Sequence, residues 1–69
     1  MTKLGEYLAQ KSVNKSDVAR KTGISKSRLS ELTLKESAQL RVDELYKIAL
    51  AIDVKPCDLL EYVCREITI

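Results

Sequence analysis

Lys15-Ser16-Asp17-Val18-Ala19-Arg20-Lys21-Thr22-Gly23-Ile24-Ser25-Lys26-Ser27-Arg28-Leu29-Ser30-Glu31-Leu32 is the stretch that decides the fold, and it predicts two short helices joined by a tight turn. Asn14 stands one residue ahead as an N-cap, and Asp17 follows three positions on to meet the free amides and the positive end of the helix dipole. Gly23 closes the first helix at about residue 22, because it accepts the positive φ that a side chain resists. Ser25 caps the second. Ala19 falls where the two helices cross and only a small side chain fits, while Val18, Ile24, Leu29 and Leu32 seal the underside.

That packing leaves the outward face of the second helix with Lys26, Ser27, Arg28, Ser30 and Glu31, which are short donors, two cations and an acceptor. Nothing on it is bulky, and such a helix can enter the major groove of duplex DNA. Lys26 and Arg28 break a local rule, since the first turn of a helix favours acids and disfavours cations. Phosphates or guanine edges at that end would reverse the sign of the cost, because the dipole and both side chains attract the same anion. Local violations of this kind mark functional surfaces.

Leu4, Tyr7, Leu8 and Lys11 share a stripe behind a Thr2 N-cap, which predicts a first helix from about 3 to 11 that exits through Ser12 and Val13. Downstream, Thr33 to Leu40 reads as a loop. Val42, Leu45, Ile48, Ala49 and Ile52 then recur at helical spacing, with Asp43 and Glu44 in the first turn. Asp53 to Lys55 is a turn, and Pro56 opens a fifth helix continued by Asp58, Leu59, Leu60 and Val63. Residues 65–69 fit fraying, continued helix or a short β-strand equally well. With no period-2 pattern before them, the chain reads as all-α, a single domain over residues 1–69 built as a compact bundle of about five helices.

Sixty-nine residues leave room for one domain only. A chain 45% apolar and 32% charged, with two Gly and one Pro, is not disordered. The absence of His, Phe and Trp removes the commonest general base and metal ligand and most cofactor-pocket surface, so neither an enzyme nor a cofactor or metal site is expected. The longest apolar run, Ile48 to Ile52, is far below the roughly 18 residues of a membrane span, and no apolar signal region follows Met1. A cytoplasmic protein is expected. Cys57 and Cys64 lie two helical turns apart, too far for a disulfide, and read as reduced, buried hydrophobes. Tyr7, Tyr46 and Tyr62 fall on helical stripes and read as packed rather than as stacking platforms for single strands. Residues 1–35 carry eight cations against three acids and residues 36–69 four against seven, which suggests a polyanion approached from one side.

Val13 through Leu60 resembles the helix-turn-helix domain of the phage repressor, Cro and Xre family of transcription regulators. The landmarks are Val18-Ala19, Gly23-Ile24-Ser25, Leu29 and Leu32, then Leu45, Ile48-Ala49, Ile52, Val54 and Leu59-Leu60. The resemblance implies a repressor that binds double-stranded operator DNA as a homodimer on an inverted repeat, with its third helix in the major groove. It places Lys26, Ser27 and Glu31 at base-reading positions, flanked by Ser25 and Arg28, and Asn14, Lys15, Lys35 and Arg41 at phosphate-contacting ones. Two departures stand out. Thr33-Leu34-Lys35 replaces the usual Glu-Asn-Gly turn, which implies a longer third helix and displaces the loop contacts of Lys35 and Gln39. Arg41 stands where the family has Ser at the fourth N-cap, Leu40 replaces a common Pro, and a poorly capping Arg hints at an anion. Tyr62, Val63, Ile67 and Ile69 exceed the needs of the core, so residues 61–69 are expected to bury against a second subunit or a partner protein. The rival reading is an antitoxin that binds a partner through its acidic half and autoregulates through DNA.

Overall fold

A computed structural model describes residues 1–69 as five helices and no strand: α1 (Lys3–Gln10), α2 (Lys15–Thr22), α3 (Lys26–Leu34), α4 (Val42–Ala51) and α5 (Pro56–Val63). Local chemistry sets most of the boundaries. Thr2, Asn14 and Ser25 take extended backbone and turn a side-chain oxygen onto the amides of Gly5, Ser16 and Arg28 at 3.0, 2.8 and 3.1 Å. Gly23, at φ 79°, ends α2 with its N–H on the carbonyl of Ala19 at 2.9 Å. The exits of α1 and α4 share one geometry. Ser12 (φ 55°) and Asp53 (φ 59°) are left-handed, and the next residue returns its amide to the helix, Val13 to Leu8 at 3.1 Å and Val54 to Ala49 at 3.0 Å. These are Schellman turns, in which Val13 and Val54 fold back on the core.

The core is one cluster of Leu4, Tyr7, Leu8, Val18, Leu29, Leu32, Leu45, Ile48, Ala49 and Leu59. α1 packs on α3 and α5, α2 on α3 and α4, and α4 on α5. The Cα radius of gyration of 11.0 Å is what a folded chain of this length should have. Ala19 and Ile24 are half-buried against the cluster, and no helix is long and apolar enough to cross a membrane.

Several expectations are corrected. Thr33 and Leu34 belong to α3 and not to the following loop, in keeping with the longer third helix implied by the missing Glu-Asn-Gly turn; Thr33 is buried, and its hydroxyl is satisfied within the helix by the carbonyl of Leu29 at 2.9 Å. Cys57 is exposed and Cys64 half-buried, since α5 seals the core mainly through Leu59. Val42 and Tyr46 lie outside on α4, whose inner face is Leu45, Ile48 and Ala49. Tyr62 and Val63 are not spare surface but pack on the chain's own core. The Tyr62 ring meets Tyr7 edge-on at 5.1 Å, and its hydroxyl accepts from Gln10 Nε2 at 3.0 Å. Residues beyond Val63 make a turn with Ile67 N–H on Cys64 O at 2.9 Å, neither strand nor continued helix, and Glu66 reaches Lys3 at 3.4 Å. Ile67 and Ile69 remain exposed.

Candidate nucleic-acid interface

α3 is held from behind. At about 100° per residue, Lys26, Ser30, Leu34, Ser27 and Glu31 fall within one arc of about 140°, while Leu29, Leu32 and Thr33 occupy the buried side. Lys26, Ser27, Glu31 and Leu34 are exposed and Ser30 is half-buried. The three residues expected to read bases therefore share a single outward face.

The carboxy-terminal end of α3 is fixed by α1. The last carbonyls of a helix have no partner within it, and here Thr2 supplies two, its N–H to Thr33 O at 2.9 Å and its hydroxyl to Leu32 O at 2.7 Å. Gly5 makes this approach possible, because a Cβ there would overlap the Thr33 carbonyl oxygen. Lys15, in the first turn of α2, and Leu34 line one recess of about 240 Å³ beside this end, and Lys35 follows directly as an exposed residue in extended backbone. Asn14 and Ser25 use one oxygen each in capping, which leaves the Asn14 amide N–H₂ and the Ser25 O–H as donors to a phosphate.

The amino-terminal end of α3 is arranged differently. Arg28 does not extend outward: its Nε and Nη2 donate to the two oxygens of Glu44 at 2.9 and 3.0 Å, and Nη2 also donates to Gln39 O at 2.8 Å. The same Glu44 carboxylate accepts the Arg41 N–H at 3.0 Å, the half of a capping box that an Arg N-cap cannot return. Thus the cation that violates the helix dipole at position 28 has a carboxylate of its own. Hydrogen bonding from Arg28 holds the Glu44 carboxyl below its ordinary pKa against an opposing push from burial, with the Arg41 amide adding to the lowering. The same bond raises Arg28. Arg41 lies outside, with Nε 3.2 Å from Asp43, and Glu31 stands 4.0 Å from Arg28 Nη1. Lys15, Lys26 and Lys35 are exposed and have no ion-pair partner.

Sequence reasoning therefore missed Gly5, Leu34 and Glu44. The signal for Glu44 was present, since a cation in one first turn and an acid in another invite pairing, but only proximity joins them. A family model described as a Cro/C1-type HTH DNA-binding domain matches residues 3–65. No curated protein matches the chain, and no solved structure does.

Proposed function

Because the chain belongs to the Cro/C1-type helix-turn-helix DNA-binding family, we propose that it is a sequence-specific repressor that seats α3 in the major groove and acts by occupying its operator. The family is one of DNA-binding regulators and not ordinarily of enzymes. The observation that carries the reading is the α3 face itself, exposed in front and polar there except for Leu34, and fixed by Leu29, Leu32 and Thr33 behind. Lys26 donates to guanine O6 or N7, Ser27 to either kind of edge, and Glu31 accepts from a cytosine amine. Asn14, Lys15, Ser25, Lys35 and Arg41 set register through phosphates without reading sequence.

A homodimer on an inverted repeat in the cytoplasm completes the proposal. Its support is apolar surface left uncovered: Ile67, Ile69 and Leu60 are exposed, and an apolar groove of about 470 Å³ runs between α4 and α5 past Val42, Tyr46 and Leu60. Val63 lines this groove, whereas Tyr62 is turned to Tyr7 and Gln10 of α1.

Selection of bound duplexes from a random pool tests the reading. Enrichment of an inverted repeat with half-sites about one helical turn apart is the expected result. Lys26→Ala should then cost about 1–3 kcal/mol on the selected site and little on random duplex. No enrichment, with only salt-labile binding left, would refute sequence specificity.

A further inference from the structure

α3 and α4 make no close backbone approach. Apart from the apolar core to which both contribute, what joins them across the loop of residues 35–41 is the polar grip of one side chain, Arg28, which holds the Glu44 carboxylate with two donors and the Gln39 carbonyl with one of the same donors. Glu44 is well shielded, its side chain only 12% exposed, and its remaining partner is the Arg41 amide. If Arg28 left for a phosphate, three hydrogen bonds would break and a shielded carboxylate would lose its counter-charge, whereas an exposed arginine gives up only water.

We propose that Arg28 and Glu44 are positioning residues, in which Glu44 keeps the Arg28 guanidinium off the DNA backbone and uses it as a strut that sets the 35–41 loop and the start of α4 against the reading helix. The consequence is electrostatic as well as structural. The first turn of α3 then offers DNA one free cation, Lys26, at a base-reading position, and withholds the second from sequence-independent attraction. Glu44 thereby limits binding to random duplex. This inference rests on the reading of the α3 face as the DNA interface, and the test separates the two.

The full chain is titrated onto a random-sequence duplex and onto the selected site by fluorescence anisotropy across a salt series, as wild type, Lys26→Ala, Glu44→Gln and Arg28→Ala/Glu44→Gln. Glu44→Gln keeps an acceptor for the Arg41 amide while loosening Arg28. It should bind random duplex several-fold more tightly at low salt and steepen the log–log salt slope by about 0.9, the signature of one added phosphate contact. The double variant should return to the wild-type slope, since it removes the freed cation and its keeper together. A double variant shallower than wild type by about one contact would show that Arg28 touches phosphate in the native complex and would overturn the proposal. So would a Glu44→Gln slope equal to wild type. If instead wild type binds no duplex, or Lys26→Ala leaves both duplexes unaffected, the underlying assignment of the α3 face fails and the inference falls with it. Thermal unfolding of each variant confirms that the compared proteins are folded.

Discussion

Replacing Gly5 by Ala should unfold this protein more easily, against the ordinary effect of that change. In an unconstrained helix interior Ala stabilises by about 1 kcal/mol relative to Gly. At Gly5 the added methyl would overlap the Thr33 carbonyl oxygen and lie 2.7 Å from Met1 Cγ and 3.2 Å from the Thr33 carbonyl carbon. Met1 can swing away, but a backbone carbonyl in the middle of a hydrogen bond cannot. α1 must back off from the end of α3, which strains the packing by about 1–3 kcal/mol. It also weakens the two bonds from Thr2 to Leu32 O and Thr33 O, at about 1 kcal/mol each. Set against the helix-propensity gain, the net loss is about 2–3 kcal/mol, a large share of the stability of a domain this small. It corresponds to a fall in Tm of roughly 10–20 °C. Thermal unfolding followed by far-ultraviolet circular dichroism measures it, with Thr2→Val as a companion that keeps the shape but loses both bonds of the hydroxyl, the one to Leu32 O and the α1 cap on the Gly5 amide. A Gly5→Ala protein melting at or above the wild-type temperature would refute the close approach of α1 to α3.

Two further outcomes follow from the same geometry. Glu44 binds its proton less readily folded than unfolded, so the unfolded chain takes up the extra proton and stability rises with pH across the carboxylate range. The contribution is fully present above the ordinary Glu value of about 4.3 and is lost as pH falls through the lowered one. Urea midpoints of wild type and Glu44→Gln should accordingly converge as the solution is acidified, and parallel curves would contradict the pairing. Ser12 holds a left-handed conformation at φ 55° that suits Gly better, so Ser12→Gly should raise stability by up to about 1 kcal/mol, with the greater freedom of the unfolded Gly chain subtracting part of it. A lower urea midpoint for that variant would show that the Ser12 side chain contributes something the backbone argument omits.

The helices, their order and the turn between α2 and α3 were legible in the chain because the forces that set them are local. A Thr2, Asn14 or Ser25 oxygen reaches amides two or three residues away, Gly23 takes its φ without help, and the spacing of Val18, Leu29 and Leu32 defines an inward side before any partner is known. The outward face of α3 follows from that inward side, so Lys26, Ser27 and Glu31 could be named in advance as an exposed group. Where the reading failed, the deciding contact came from far along the chain. The absent Gly after Leu32 implied a longer α3, but what fixes its end is Thr2 and Gly5, about thirty residues earlier. Cys57, Val42 and Tyr46 carry apolar side chains at helical spacing, yet which stripe turns inward depends on how α4 and α5 pack, and they fell on the outer one. Arg28 is the sharpest case. Sequence showed a cation misplaced at a helix start and offered DNA as its partner, but the fold brings a carboxylate from sixteen residues away to within 2.9 Å. Charge and capping are one-dimensional properties of a chain, whereas the pairing of an ion is settled by which groups the packing carries together.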